Sequence, residues 1–247
     1  MKKFILSICA AVLMTLSSCS EKDEGPLDNV EDKKDEHIPS DMKIAFPDKY
    51  FRSYVLANFD IDKNGIISKD ETLKITEIDV TDQDEIKSLE GIQYFKNLEY
   101  LDCSYNQLTS LDVSKNTKLT ELGCQWNQLT SLNVFGCTSL TELWCRDNQL
   151  TSLDVSGCPA LTRLDCDNNQ LTSLDVSKNT KLTELGCSDN KLTTLNVSNN
   201  KFLDVLGCNM PSLERLFVKK NQSIYGITDY RYFNNFINPK TTIEYIN

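Results

Sequence analysis

Six oxygen-bearing residues stand at regular intervals in the segment 60–71, and their types suit a hard cation. Five are side-chain donors and one is a backbone carbonyl; in chain order they are Asp60, Asp62, Asn64, Ile66 (carbonyl), Ser68 and Glu71. Calcium binds six to eight such oxygens at about 2.3–2.6 Å, and a twelve-residue loop with glycine at position 6 supplies them at this spacing. The segment therefore predicts a structural calcium site, with a metal-free turn as the alternative.

This pattern is that of the EF-hand loop, and its surroundings limit what the loop can do. Residues 47–58, ahead of it, have the apolar spacing of a short helix. After Glu71 the sequence soon becomes strand-like, and it contains no second loop of this kind. A paired, opening calcium sensor is therefore not expected. We expect calcium to hold the N-terminal part of the fold together.

The composition excludes several other kinds of chemistry. The chain of 247 residues has ten cysteines but one histidine, His37. Histidine is the usual general base and metal ligand, so Ser-His-Asp, Cys-His and histidine–zinc sites are close to excluded. The net charge of −10 opposes the basic surface that nucleic-acid binding requires, and no nucleic-acid partner is expected. An enzyme that uses only carboxylates stays open.

A 21-residue repeat accounts for most of the cysteines. Five copies follow one another between residues 98 and 202, with the pattern L-x-x-L-x-C-x-x-N-x-L-x-x-L-x-V-x-x-(N/C)-x-x. Its first eleven positions match the leucine-rich repeat, with cysteine as the third apolar residue. The predicted fold is a repeat solenoid, mostly β, with a curved parallel sheet on its concave face. The inward cysteines are Cys103, Cys124, Cys145, Cys166, Cys187 and Cys208.

The inward thiols are expected to pack as small hydrophobic groups. Metal–thiolate sites usually need local C-x-x-C pairs, and the sequence has none. Cys137 and Cys158 stand elsewhere, at the second turn of neighbouring repeats, where other copies carry asparagine. A disulfide between these two cysteines stays open at this point.

The N-terminus has the features of an export signal. Two lysines precede an apolar run, residues 4–16, that is too short to span a bilayer, and Leu-Ser-Ser-Cys then ends at Cys19. This motif resembles a bacterial lipobox, which implies a signal over 1–18 and lipidation of Cys19, with an ordinary signal peptide as the alternative. Residues 19–37 are mostly charged residues, Gly, Pro or Asn, which predicts a disordered tether. The acidic residues after Cys19 resemble the export tag of Bacteroidetes-type surface lipoproteins, which implies a surface-exposed outer-membrane protein attached only by its lipid; the periplasmic face is the alternative.

The repeats degrade toward both ends, which predicts caps over the open ends of the apolar column. Residues 38–74 form the helical cap with the EF-hand-like loop, and 75–221 form the leucine-rich repeats. Residues 222–247, rich in tyrosine and phenylalanine, form an irregular C-terminal cap, with a binding patch as the alternative for the aromatic residues.

A helical cap with an EF-hand-like loop, followed by short leucine-rich repeats, resembles the internalin family of bacterial adhesion proteins. The likeness covers about residues 44–221 and is strongest in I-x-x-L-x-G-I-x-x-F-x-N-L-x-Y-L, from Ile86 to Leu101. The chain departs from the family in its inward cysteines, its 21-residue period and its predicted lipid anchor. The resemblance implies protein recognition by the concave sheet, and we expect a monomer.

In each strand, the residues beside the buried leucine and cysteine point onto the concave face. Both tryptophans and two arginines fall there, on neighbouring repeats, and these residue types are enriched in binding hot spots. Scattered surface aromatics are the alternative. The predicted ligand-binding residues are Tyr100, Tyr105, Trp126, Glu142, Trp144, Arg146, Arg163 and Asp165.

These features predict a non-enzymatic surface module that binds a protein or peptide. The alternative is a carbohydrate-binding or carboxylate-based glycan-processing accessory protein of the outer membrane, with tryptophan as a sugar platform. A glycosidase needs two carboxylates at a defined separation, one with a raised pKa. An open solenoid face offers no evident apolar pocket in which to raise that pKa.

Overall fold

The computed structural model of the protein describes residues 44–83, 85–222, 224 and 240–247. Cys19, the predicted signal, the tether and most of the predicted C-terminal cap lie outside the described residues. Within the described ranges, no helix is long and apolar enough to cross a membrane.

The N-terminal cap is built on helix α1, Lys49–Phe59. The helix begins at Asp48, whose carboxylate accepts hydrogen bonds from two backbone N–H groups of the first turn at 2.9 and 3.0 Å. Its inward residues recur every four positions, which places Phe51, Val55 and Phe59 in the core.

Short strands alternate with turns through the rest of the described chain. After α1 the elements are α2 (Lys69–Thr72), β1 (Glu77–Asp79), a 3-10 turn (Ile92–Tyr94), β2 (Tyr100–Asp102), β3 (Ser110–Asp112), β4 (Glu121–Gly123), β5 (Ser131–Asn133), β6 (Glu142–Trp144), β7 (Arg163–Asp165), β8 (Glu184–Gly186), β9 (Thr194–Asn196), β10 (Val205–Gly207), β11 (Arg215–Lys219) and β12 (Thr242–Ile246). Each 21-residue repeat is one coil of the solenoid.

Seven strands form one parallel sheet in the order β1-β2-β4-β6-β7-β8-β10. The register aligns one buried aliphatic residue per strand, from Ile78 and Leu101 through to Leu206. Strand side chains alternate, so the residues on either side point to the outer surface of the sheet, which we call the concave face. On the opposite side of the coils, β3 pairs with β5, and β9, β11 and β12 form a third sheet. The predicted leucine-rich-repeat solenoid is confirmed.

The leucine and cysteine columns form a continuous core through the coils. All six inward cysteines are free thiols and are at most 1% exposed. Burial raises the pKa of these thiols far above its ordinary value, to about 12 for Cys208 at the end of the column. They are therefore protonated, packed groups, as the sequence predicts.

An asparagine ladder satisfies the backbone where each coil leaves the sheet. Asn148 is representative: its Nδ2 donates to the carbonyls of Cys124 and Cys145 at 3.0 and 3.1 Å, and its Oδ1 accepts from the Leu129 N–H at 2.9 Å. The equivalent asparagines of neighbouring coils repeat these bonds. Each side chain thus joins adjacent coils and satisfies turning backbone that is buried.

Cys137 and Cys158 replace asparagine in a second ladder. Asn179 donates through Nδ2 to two backbone carbonyls at 2.9 and 2.8 Å. Cys137 and Cys158 instead donate from Sγ to the carbonyls of Val113 and Val134, at 3.3 and 3.4 Å. Both thiols are free and fully buried, and burial raises their pKa values to about 12 and about 11. The structure therefore shows two thiols in asparagine positions.

Candidate ligand-binding face and calcium loop

The predicted calcium loop gathers three carboxylates between α1 and α2. One oxygen from each of Asp60, Asp62 and Glu71 lies within 4.8 Å of the other two. Gly65 turns the loop with a φ of +77°, in the left-handed region that favours glycine. Ile67, two residues later, is only 2% exposed and fixes the loop to the core.

The other predicted donors bond within the loop. Asn64 Oδ1 accepts from the Ile66 N–H at 2.7 Å, and Ser68 Oγ donates to Glu71 Oε2 at 2.8 Å. The arrangement thus joins three of the six predicted donors directly, with Asn64 and Ser68 next to them in the chain. The oxygen-rich set, with its three carboxylates, fits the chemistry of a calcium ion.

Glu71 is the most deeply buried of the predicted calcium ligands. It is 5% exposed, and its two oxygens accept from the N–H groups of Ile61 and Ser68 at 2.7 and 2.8 Å. Burial raises the pKa of Glu71, but these hydrogen bonds outweigh burial and hold it below its ordinary value. Glu71 also completes the capping box of α2 with Ser68. The carboxylate therefore connects both ends of the loop.

Three residues after six of the seven concave strands, the chain passes through a left-handed residue. We call this set the left-handed row; its members have φ between 51° and 56° and are Asp82, Tyr105, Trp126, Asp147, Asn168 and Asp189. Asparagine and aspartate tolerate this conformation because their side chains bond locally. Tyrosine and tryptophan have no such compensation. Two adjacent coils therefore carry large aromatic residues at a position that does not favour them.

Tyr105 and Trp126 form an exposed stack. Their ring centroids are 5.9 Å apart and their planes differ by 10°, and the residues are 47% and 44% exposed. The guanidinium carbon of Arg146, in the next coil, lies 5.9 Å from the Trp126 ring centroid. Tyr105, Trp126 and Arg146 thus form a continuous series along the edge of the concave face.

Trp144 lies apart from this stack. It is half-buried in β6, in register with Gly123 on one side and Asp165 on the other. Among the described residues, no ring contact joins it to Trp126. The structure therefore places the two tryptophans in different rows of the same face, and Tyr105 is the aromatic partner of Trp126.

Three of the remaining predicted residues, Tyr100, Glu142 and Arg163, each begin a strand of the sheet, whereas Asp165 ends β7 beside Trp144. Arg163 approaches Glu142 at 3.7 Å and Glu184 at 3.1 Å. Tyr100 is half-buried, and burial together with the neighbouring carboxylates, Asp102 foremost, raises its pKa. Arg163 therefore bridges its neighbours on both sides, whereas Tyr100 lies among acids.

Asp167 belongs to the face but is absent from the predicted ligand-binding set. Burial, and then the charge of Asp165, raise the pKa of Asp167 to about 7, and burial also raises the pKa of Asp165. Asp167 Oδ1 accepts from the Ser188 N–H at 2.6 Å. A Cβ built on Gly186 would lie 3.1 Å from Asp167 Oδ1 and 3.2 Å from Asp165 Oδ1. The sequence could have indicated this pair, because Asp165 and Asp167 are two positions apart and the next coil has a glycine, Gly186, in the facing position.

Comparison with known proteins supports the fold. A family model described as "Leucine Rich repeats (2 copies)" matches residues 138–179, and one described as "Leucine Rich Repeat" matches 97–117 and 191–216. Internalin J of Listeria monocytogenes serotype 4b (strain F2365) is 36% identical over 72 residues, which are 29% of this chain and 8% of that protein.

The chain matches two solved structures over part of its length. The functional domain of InlJ from Listeria monocytogenes, described as including a cysteine ladder, is 31% identical with a TM-score of 0.47; the match covers 70% of this chain and 50% of that one. A leucine-rich-repeat protein of Leptospira interrogans is 22% identical with a TM-score of 0.53, over 63% of this chain and 44% of that one.

The match thus spans about a twelfth of internalin J and half of the solved InlJ domain. The repeat pattern, the parallel sheet and the family matches agree. The chain is therefore a leucine-rich-repeat solenoid whose repeats are similar in sequence to those of internalin J.

Proposed function

We propose that the protein is a cell-surface binding module that recognises a protein or peptide on its concave face, without catalysis. The observation that carries the proposal is the exposed stack of Tyr105 and Trp126 in the left-handed row. Leucine-rich-repeat solenoids typically use such extended concave surfaces for recognition.

The cost of the stack argues that it serves a ligand. A left-handed conformation costs an ordinary L-residue about 1–2 kcal/mol, whereas an aromatic pair gains about 0.5–1.5 kcal/mol beyond burial. Two strained residues are therefore not offset by one exposed ring pair. Strain that the surroundings hold in place is typical of functional sites.

The same geometry favours a polypeptide over a glycan. Sugars stack on the open face of an aromatic ring, but Trp126 lies between Tyr105 on one side and Arg146 on the other. Tyr105 and Arg146 thus compete with a sugar for the Trp126 ring, and the charged pair of Arg146 and Asp147 beside it suits the polar groups of a peptide. Trp144 has no such ring neighbour among the described residues, so a glycan ligand, if it were the true ligand, would be expected to contact Trp144 rather than the stack.

The test replaces the aromatic pair with residues that the left-handed row carries elsewhere, as Tyr105→Asn with Trp126→Asp. We expect a protein that is equally or more stable, because strain is removed, but that no longer retains peptides selected from a displayed random library on the unmodified protein. Phe135→Ser is the matched control, since Phe135 is an exposed aromatic at a turn where other coils carry serine. Unchanged peptide retention by the double variant would refute the proposal.

We propose further that the loop 60–71 binds one structural calcium ion. Its support is the donor pattern together with the convergence of Asp60, Asp62 and Glu71. A calcium ion bound only by the folded protein stabilises it by about 1.4 kcal/mol at ten times its Kd. For a chain of this size that corresponds to about 3–6 °C in Tm.

Titration calorimetry and melting with and without chelator test the calcium proposal. Glu71→Gln should abolish the calcium-dependent rise in Tm, whereas Asp70→Asn, which alters an exposed neighbouring carboxylate outside the donor set, should leave it intact. No heat of binding, together with a Tm that the chelator does not move, would exclude the ion.

We propose attachment to the outer membrane through lipidated Cys19, with the solenoid exposed at the surface. The support is the Leu-Ser-Ser-Cys motif and the acidic stretch after it. Labelling with a fatty-acid analogue should mark the unmodified protein but not Cys19→Ala, and external protease should digest the solenoid on intact cells. Equal labelling of both proteins would exclude lipidation of Cys19, and protection from protease would exclude surface exposure.

A further inference from the structure

Carboxylates dominate the concave face. Ten lie on its strands or in the left-handed row, and an eleventh, Asp167, lies between β7 and that row, against two arginines, Arg146 and Arg163; the carboxylates are Glu77, Asp79, Asp82, Asp102, Glu121, Glu142, Asp147, Asp165, Asp167, Glu184 and Asp189. The face is therefore strongly negative over six successive coils.

Both arginines are already engaged. Arg163 bridges Glu142 and Glu184, and Arg146 approaches Asp147 at 3.1 Å and Asp165 at 3.9 Å. Among the described residues, the other seven carboxylates of the face have no cationic side chain within 4.0 Å; they are Glu77, Asp79, Asp82, Asp102, Glu121, Asp167 and Asp189. Most of the negative charge is thus uncompensated.

The lysines of the repeats lie away from this face. They occupy the second turn or the edge of the coil and are all exposed; they are Lys115, Lys118, Lys178, Lys181, Lys191 and Lys201. The sheet face therefore carries acids with two arginines, whereas these lysines lie toward the opposite turns, where they accompany acids such as Asp154 and Asp175. The excess of acids on the sheet directs the field of the protein at whatever approaches the sheet.

The spacing of these acids suits the side chains of a polypeptide better than a metal ion. Among the described residues, the group of three acids close enough to share an ion is Asp60, Asp62 and Glu71 in the loop, and none forms on the face. Neighbouring strands are about 4.8 Å apart, so the carboxylates are spread over a surface that several lysine or arginine side chains can reach together. Arg146 above Trp126 shows that a guanidinium fits against the aromatic stack.

From this arrangement we infer that the concave face recognises a cationic polypeptide segment, whose lysine or arginine side chains pair with the free carboxylates. The inference rests on the proposed binding function and specifies the chemistry of the partner. Charge complementarity of this kind sets the specificity and rate of association.

The probe is a fluorescein-labelled deca-arginine peptide, with deca-glutamate as its negative counterpart, followed by anisotropy at about 0.15 M salt, where the Debye length is about 8 Å. The face variant is Glu121→Gln with Asp189→Asn, two carboxylates of the face that have no cationic partner among the described residues. The control variant is Asp154→Asn with Asp175→Asn, two exposed aspartates on the opposite side of the coils. Both variants lose two negative charges, and in the control variant an amide retains the oxygen that accepts from Ser156 or Ser177.

We expect the face variant to weaken deca-arginine binding at least tenfold and the control variant less than twofold. Equal weakening in both variants would show diffuse attraction to an acidic protein and overturn the inference, as would absence of binding or equal binding of deca-glutamate. If deca-arginine fails while selected peptides still depend on Tyr105 and Trp126, the inference falls and the proposed function stands. If those peptides bind without the aromatic pair, the proposed function falls as well.

Discussion

Replacement of Cys145 by serine tests whether the inward thiols act as small hydrophobic groups. Cys145 is fully buried in the column between Cys124 and Cys166, and its Sγ makes no hydrogen bond among the described residues. A serine hydroxyl at this position would be buried without a partner. Alanine, in contrast, removes the sulfur and introduces no polar atom.

The two changes differ in expected cost. A buried, unpaired hydroxyl costs about 1–3 kcal/mol in protein substitution data. Cys145→Ala loses the burial of one methylene-sized group, worth about 0.8 kcal/mol. Serine, although closer to cysteine in size, is therefore expected to be the more destabilising by about 1 kcal/mol. At about 2–4 °C per kcal/mol for a chain of this size, Cys145→Ser lowers Tm by roughly 4–8 °C.

Urea unfolding in the presence of a reductant, followed by far-UV circular dichroism, measures the order of the variants. Cys166→Ser is the internal control, because Cys166 Sγ donates to the Gly186 carbonyl at 3.2 Å and a hydroxyl can take over that acceptor. Its effect should be smaller than that of Cys145→Ser. If Cys145→Ser matched the unmodified protein and Cys145→Ala were worse, the column would be using its thiols as polar groups, and the hydrophobic explanation would be wrong.

Two further predictions concern the second ladder and the acidic pair. Cys137→Asn should lower the unfolding free energy by about 1 kcal/mol, because the amide adds the second donor seen at Asn179 but also buries an oxygen that has no partner at Asn116, Asn179 and Asn200; a higher urea midpoint would contradict this. Asp167 has a pKa raised to about 7 in the folded protein, against about 3.9 unfolded, so its contribution to stability is present at low pH and is lost as pH rises toward 7. Asp167→Asn should therefore raise Tm increasingly from pH 4 to pH 7, with a plateau above, and an equal shift at pH 4 and pH 8 would refute the assignment. Asp154→Asn is the matched control, because hydrogen bonds from Ser156 lower the pKa of Asp154 and no gain is expected.

The fold was predictable because every coil repeats the same sequence of strand, turn and buried leucines. A fixed period of 21 residues places each leucine above its counterpart in the previous coil, so a single pattern defines strands, register and core together. The calcium loop was predictable as a chain segment for a similar reason, since its ligands lie within twelve consecutive residues.

The side-chain positions on the concave face depend on left-handed residues, and the alternation of side chains along a strand does not predict these residues. Leu101 and Cys103 point inward, and continued alternation would also turn Tyr105 inward. The left-handed turn at Tyr105 reverses this and places its ring against Trp126. Trp144, one row away, consequently has different neighbours from those the sequence suggested. The state of Cys137 and Cys158 likewise depends on where each Sγ finds a carbonyl, which spacing alone does not define.

The identity of successive coils has a consequence for how such a gene can change length. Most coils present the same strand pairing and the same asparagine-ladder bonds to the coil above and the coil below, so a duplication or deletion of one 21-residue unit preserves these two sets of bonds. The Tyr105–Trp126 stack is different, because it exists only while its two coils are neighbours. One coil inserted between them would move the rings apart by about 4.8 Å and end their contact. The number of coils can therefore change at little cost to folding, whereas ligand recognition requires that the coils of Tyr105 and Trp126 stay adjacent.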